Sequence, residues 1–505
     1  MSKAIEYIDT AKRAPKHLGR VLVLGLGKSG KSVARYCAAL LGGRVDALYI
    51  AAGADTDDSR AFIDSLGTDR VAYAFGDEGV SVLAEAAEGP FNMCIASPGI
   101  PFWSDLYKQG QEASDELMSE VEFAWRESAA DSIWVAITGT NGKTTTTACT
   151  AHVLASAGFA ASAVGNIGEV CLDAVAAGKT DVYVAEVSSY QLASTIDFAS
   201  NVAVVLNITP DHIHWHKTFE AYAQAKFKVL DNLARVPGAV AVLDATNDVV
   251  RARVRELKAQ TPEERGFAYV PMGTVAGFSD DMRARCGAEN AAFFDADGRL
   301  TVALGGTEHK LCAIDALQIK GEHNASNALA AAAAAIACGA DDAAVSEALA
   351  TFSPLEHRIE PCGCVAGIDC YNDSKATNVD ATLKALAAFP GRGVVVLLGG
   401  DDKGTDLAEL VACAHEHARA AVCFGDAGER FAQAFADAAD AAPAGFSVLR
   451  AGKLEEALDV ALGTARVGEV VLLSPACASF DEFHSFEERG RVFKALVAER
   501  ALRKR

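Results

Sequence analysis

The residues Gly139-Thr-Asn-Gly-Lys-Thr144 follow an apolar run, Ile133–Ile137, and are the most specific chemical signal in the chain. Their glycines let successive backbone N–H groups converge on phosphate oxygens, Lys143 adds a mobile positive charge, and Thr144 is placed to put its hydroxyl on magnesium. The spacing is GxxGKT rather than GxxxxGKT, so this is a variant phosphate loop. Glu186 ends the run Val182–Ala185, where phosphate-loop enzymes place a magnesium-binding acid. A solvated strand-end carboxylate reads the same way in sequence.

A second glycine turn, Gly25-x-Gly-x-x-Gly30, follows Val21–Leu24 and opens a helix read from about Lys31 to Leu41. Its glycines would let the backbone approach a pyrophosphate at the helix N-terminus. A nicotinamide enzyme wants an acid at the end of the next strand, Val45–Ile50. Here that end continues as Ala51-Ala-Gly53, and Asp46 lies inside the strand. A nucleotide-diphosphate site therefore fits better than NAD, with a structural turn as the remaining reading. In Asp211-His-Ile-His-Trp-His216, histidines at i, i+2 and i+4 would share a strand face and could hold zinc. Pro210 argues for a loop instead, which favours a single functional His212, with His214 and His216 as surface or packing residues.

These residues need a scaffold, and the rest of the chain supplies one. Its 505 residues carry 46 basic and 67 acidic side chains, a net charge of −21, with half the residues hydrophobic and 22% charged. That composition predicts a globular protein of about three domains and excludes general affinity for nucleic acid, which needs clustered Lys and Arg. The first twenty residues lack the apolar core of a signal peptide, and no apolar run reaches 18 residues, so no membrane insertion is expected. The 13 cysteines are dispersed and read as reduced small hydrophobes of a cytoplasmic protein; Cys362-Gly-Cys364 with Cys370 lacks the paired CxxC spacing of a zinc site. Strand-like runs alternate with helical ones throughout, which predicts an α/β protein with mostly parallel sheets. Met93–Ala96 joins the first unit and Val202–Leu206 the second. Val394–Leu398, Ala421–Phe424 and Val470–Leu473 form a third, and Asn327–Cys338 is helical because it is rich in Ala. The stretch 251–300 is weakly patterned and reads as an insertion or a small sheet extension.

Thr138–Thr145 resembles the nucleotide loop of the Mur ligase superfamily, whose members join an amino acid to a carboxylate at the expense of ATP. Tyr222-Ala-Gln-Ala-Lys226, His323-Asn-Ala-Ser-Asn327 and the pair His357-Arg358 match further elements of that superfamily, in the right order. Asn372-Asp-Ser-Lys-Ala-Thr-Asn378, supported by Leu398–Lys403 and Leu473–Ser479, resembles the branch that adds D-glutamate. Folylpolyglutamate synthases and the other branches carry a different block there.

The resemblance implies three domains: a Rossmann-like UDP-sugar domain (1–131), a central P-loop ATPase-like domain (132–354) and a Rossmann-like D-glutamate domain (355–505). It implies that the carboxylate of UDP-N-acetylmuramoyl-L-alanine takes the γ-phosphoryl group of ATP, and that the amine of D-glutamate attacks the acyl phosphate. A cytoplasmic monomer serving peptidoglycan precursor synthesis is expected. By resemblance ATP is held by Gly139, Thr140, Asn141, Gly142, Lys143, Thr144, Thr145, Asn324, Asn327, Arg358, Asp373 and Lys375, and the catalytic residues are Lys143, His212, Lys226 and Lys375. Two magnesium ions fall to Thr144 and Glu186, and to His212 and Lys226, the lysine being carbamoylated by CO2. The sugar nucleotide falls to Gly27, Lys28, Ser29, Gly30, Ser97, Pro98, Gly99, Asn166 and His212. D-glutamate falls to Thr377, Lys403, Ser479 and Phe486. Relatives often hold uracil with an acid and a polar residue where Ala51-Ala-Gly53 stands, for which Asp55 or Thr56 could substitute, and Glu356 replaces the expected Pro before His357.

Overall fold

Short runs of Val, Ile, Leu and Ala, buried on both faces, form the centres of three sheets in a computed structural model that describes residues 12–87, 89–273, 290–402 and 404–503. In the first sheet the strands Val71–Phe75, Val45–Ala52, Gly19–Leu24, Met93–Ala96 and Leu117–Ser119 lie side by side, all parallel. Strand order reverses between Gly19–Leu24 and its neighbours, which opens a crevice at their C-terminal ends.

Among the described residues the second sheet has nine strands and is centred on Ile133–Thr138, flanked by Val202–Val205 and Val182–Glu186. Beyond Val202–Val205 it continues through Val240–Asp244, Ala268–Met272 and Ala291–Phe294 to an antiparallel hairpin, Arg299–Leu304 with Thr307–Ala313. The weakly patterned stretch is thus in part a sheet extension; residues 274–289 lie outside the described ones. The third sheet places Val470–Leu473 between Ile368–Asn372 and Val394–Gly399, with Ala420–Phe424 and Ser447–Arg450 beyond and Glu360–Val365 as an antiparallel edge.

The chain forms two compact units, Met1–Ala316 with Ser326–Ala350, and Leu317–Ala325 with Thr351–Arg505. The first two sheets share the first unit and one continuous core that runs from Val21 and Ile50 through Phe123 to Trp134 and Ala203. Trp134 stacks on Tyr183 at 4.8 Å there.

Several elements differ at their ends from the sequence reading. The first helix is Lys28–Ala39, begun three residues early because Gly27 takes the extended N-cap conformation. The Ala-rich helix is Glu322–Ala337, and Ala328–Ala335 is fully buried, since methyl side chains let the helix lie close to its surroundings on every side. The helix carrying Lys226 spans Phe219–Phe227 and tightens to a 3₁₀ turn over Lys228–Leu230. Residues Ile213–His216 make a single helical turn, so the three histidines of that stretch share no strand face. All twelve described cysteines are free thiols. No helix among the described residues is long and apolar enough to cross a membrane.

Candidate active site

The phosphate loop leaves Ile133–Thr138 and enters the helix Lys143–Ser156. Gly139 has φ +152°, and Gly142, the helix N-cap, has φ +83°. A Cβ at Gly142 would lie 2.3 Å from Asn327 Oδ1, so the loop passes directly under that side chain. Asn327 also accepts from Thr146 Oγ1 at 3.3 Å and thereby fixes the first turn of the helix. Gly142→Ala would displace Asn327 as well as force a left-handed alanine. We expect it to cost about 1–3 kcal/mol of stability and to raise the KM for ATP, measured by urea denaturation and steady-state kinetics.

The loop is clamped from below by Asn207, whose Oδ1 accepts from Asn141 N at 2.9 Å and whose Nδ2 donates to Asn141 O at 3.2 Å. Thr140 N donates to Asn207 O at 2.6 Å, and Thr140 Oγ1 shares a 2.9 Å hydrogen bond with Tyr222 OH. Sequence reasoning missed Asn207, because a lone Asn after a strand carries only a turn signal.

Two lysines converge on this loop. Lys143 Nζ donates to Gly139 O at 3.0 Å and Thr140 O at 2.8 Å, and Lys226 Nζ donates to the same Gly139 O at 2.7 Å. Lys226 is buried, only 2% exposed. Burial first, then the neighbouring Lys143 charge, push its pKa well below the usual lysine range, against the opposing pull of Asp211 and Glu186. That shift favours the neutral, nucleophilic form of its amine over the cation.

Glu186 is also buried, at the end of its strand. Its Oε1 accepts from Asn166 Nδ2 at 3.1 Å, whereas Oε2 has no hydrogen-bond partner among the described residues. A buried carboxylate oxygen left without a protein donor suits a divalent cation, and Thr144 stands in the first turn of the adjoining loop helix. Asn166, expected at the sugar nucleotide, thus also steadies Glu186.

His212 is half-exposed in a left-handed conformation, φ +52°, beside Asp211 (3.4 Å) and the ring of Tyr190 (4.9 Å). His216 is buried against Ser189 Oγ at 2.9 Å, and burial, then the His212 and Lys226 charges, push its pKa down to about 4. It packs as a neutral ring. His214 stays on the surface, edge-on to Trp103.

At the first sheet's crevice, Gly25 has φ +82° and a Cβ on Gly30 would lie 1.9 Å from Gly25 O. Ser97 Oγ donates to Gly25 O at 3.2 Å, so the loops Gly27–Gly30 and Ser97–Gly99 are neighbours at one helix N-terminus. The two substitutes considered for uracil are engaged elsewhere: Thr56 caps the helix Asp57–Ser65, and Asp55 pairs with Arg60 at 2.5 Å.

Residues 137–335 match the Mur ligase middle domain, and residues 357–477 match the Mur ligase glutamate ligase domain. A UDP-N-acetylmuramoylalanine–D-glutamate ligase from Thermoanaerobacter sp. strain X514 is 35% identical over 95% of this chain and 98% of its own length. The chain belongs to the Mur ligase family. The enzyme of the same name from Salinibacter ruber is 37% identical, over 95% of this chain and 97% of its own. In fold, the chain is similar to a pseudomurein peptide ligase type C from Methanothermus fervidus, with TM-score 0.53 at 19% identity over 95% of this chain and 99% of that one. It is equally similar to a UDP-N-acetylmuramate-alanine ligase from Thermotoga maritima, with TM-score 0.53 at 18% identity over 96% and 100%. The α/β architecture read from the sequence is the family's.

The family's other motifs fall in the second unit. Asn324 Nδ2 donates to Lys320 O at 2.8 Å. Arg358 follows His357, which takes φ +65° and whose Nδ1 meets Asn372 Nδ2 at 2.8 Å. Asp373 is buried, accepting from Ser474 Oγ at 2.7 Å and Ile359 N at 3.2 Å, and burial pushes its carboxyl up to about 7. Lys375 Nζ lies 3.7 Å over the Phe486 ring. Ser479 Oγ is buried without a hydrogen-bond partner among the described residues. Thr377 is half-buried, and Lys403 lies outside the described residues.

Arg489, 1% exposed, ties these pieces together, and sequence reasoning missed it because it reads as one more charge on a helix. Its guanidinium donates to Ser374 Oγ, Ser374 O, Cys477 O and Ala478 O at 2.9–3.0 Å. Arg489→Met would strand four buried acceptors. It is expected to cost about 3 kcal/mol or more, read as a lowered urea midpoint by circular dichroism.

Proposed function

We propose that this chain is an ATP-dependent ligase that joins D-glutamate to UDP-N-acetylmuramoyl-L-alanine, acting as a cytoplasmic monomer in peptidoglycan precursor synthesis. The observation that carries the reading is the convergence of Lys143 and a buried Lys226 on Gly139 O beneath a phosphate loop. The choice of substrates is supported by full-length relatives named for D-glutamate ligation.

An amide forms from a carboxylate only when an oxygen is made a better leaving group. A carboxylate oxygen of the alanyl end attacks the γ-phosphorus of ATP; that O–P bond forms as the bond to ADP breaks. The amine of D-glutamate then attacks the acyl carbon, loses a proton, and inorganic phosphate departs. Catalysis of the first step is chiefly positioning and charge neutralisation. The loop N–H groups orient the phosphates and Lys143 offsets the charge on the transferred group. Asn166 holds the Glu186 carboxylate in place.

Thr144 and Glu186, and His212 with Lys226, would hold magnesium ions, which would supply further charge neutralisation when bound. For Lys226 to serve there its amine must add to CO2, with an N–C bond formed and a proton released, which turns the side chain into a carboxylate. The lowered pKa favours that reaction. We assign the sugar nucleotide to Gly27–Gly30 and Ser97–Gly99, and D-glutamate to Thr377, Lys403, Ser479 and Phe486.

The test is phosphate release from ATP in the presence of UDP-N-acetylmuramoyl-L-alanine and either enantiomer of glutamate. Release is expected only with the sugar nucleotide and D-glutamate together; equal rates with L-glutamate would sink the assignment.

A further inference from the structure

Three of the large hydrophobic side chains left exposed on the described surface gather at one place: Phe102 (41% exposed), Trp103 (36%) and Ile213 (37%). Phe102 and Trp103 continue the loop that begins at Ser97, before Ser104 caps the helix Asp105–Glu112. Ile213 belongs to the turn that begins at His212. Two loops already assigned to the sugar nucleotide therefore meet at a shared aromatic surface, and a cluster of exposed apolar groups beside a site marks a ligand contact.

The surface is built, not loose. Trp103 Nε1 donates to Trp215 O at 3.2 Å, the Trp103 ring stands edge-on to His214, and Lys217 Nζ sits 3.9 Å over its centroid. Phe102 packs edge-on against Trp215 at 5.3 Å, Trp215 against Tyr190 at 4.7 Å, and Tyr190 against His212 at 4.9 Å. The turn is bracketed by two residues with positive φ, His212 at +52° and Lys217 at +71°. Such non-glycine conformations cost about 1–3 kcal/mol each and persist where packing over-determines them, commonly at ligand clamps.

We infer that Trp103 and Phe102 form a stacking platform for the sugar ring of the nucleotide substrate, with Lys217 holding positive charge beside it. A hexopyranose presents an apolar face of C–H groups, which packs on an exposed indole as other apolar rings do. The loop that carries the platform touches the pyrophosphate loop through Ser97 and the His212 turn through Trp103, and a sugar linking a diphosphate to a reacting carboxylate must span such a path. This inference rests on the ligase reading above.

Calorimetric titration of wild-type, Trp103→Ala, Trp103→Phe and Phe102→Ala chains with UDP-N-acetylmuramoyl-L-alanine and with UDP tests it. Trp103→Ala is expected to weaken the sugar nucleotide about tenfold and leave UDP within about twofold. Trp103→Phe should recover most of the loss, and Phe102→Ala should lose about threefold. In turnover the loss belongs in the KM for the sugar nucleotide, with the KM for D-glutamate unchanged. Unchanged affinity in both alanine variants, or an equal loss for UDP, overturns the platform. Wild-type chain that binds the sugar nucleotide without turning it over overturns the ligase reading alone, and the titrations still decide the platform. Wild-type chain that does not bind it overturns both.

Discussion

Lys226→Ala is expected to lower turnover by roughly 10³-fold, with partial recovery on adding a short carboxylate such as acetate. The side chain is 2% exposed, its nitrogen reaches Gly139 O at 2.7 Å, and it lies 4.7 Å over the Tyr222 ring. No solvent role is open to it there, and a structural role alone gives no reason for recovery by a carboxylate. Phosphate release with and without acetate is the measurement. Full activity of the alanine variant would remove Lys226 from the mechanism. A stable but inactive variant indifferent to carboxylates would leave the lysine essential and remove the carbamate.

Lys143→Met should lower kcat by roughly 10²–10³-fold, because it deletes the one loop side chain able to follow charge onto the transferred phosphoryl group. A second effect follows from the shared acceptor. Lys143 is the next cause after burial of the lowered Lys226 pKa, so its removal returns Lys226 toward the ordinary lysine range. The amine is then more often protonated and less able to add CO2. The variant is therefore expected to gain activity with rising pH more steeply than wild type, read as kcat across the neutral to alkaline range. Activity within about threefold of wild type at every pH would refute both roles.

Much of the site was legible because its parts are local. The loop Gly139–Thr144 needs strand, glycines, lysine and helix in immediate succession, and chain connectivity alone assembles them. The turn Gly25–Gly30 is readable for the same reason, since Gly30 must be glycine to pass Gly25 O. Asn327 was marked only by resemblance; its place over Gly142 depends on a helix 185 residues further along the chain. Thr56 shows the opposite limit. Its hydroxyl was free to be assigned to a ligand until the helix Asp57–Ser65 claimed it as a cap.

The sequence by itself determined the alternation of strand and helix, the phosphate loop and the family's motifs, because each depends on residues within a few positions of one another. Tertiary structure alone decided which side chains carry charge and which are spent on the fold. The Lys226 pKa is lowered only because packing removes it from water and sets it against Lys143 at one carbonyl. Arg489 becomes a buried tie and Asn207 a clamp only where distant loops present their acceptors. Burial and long-range pairing set these energies, and neither is written in local spacing.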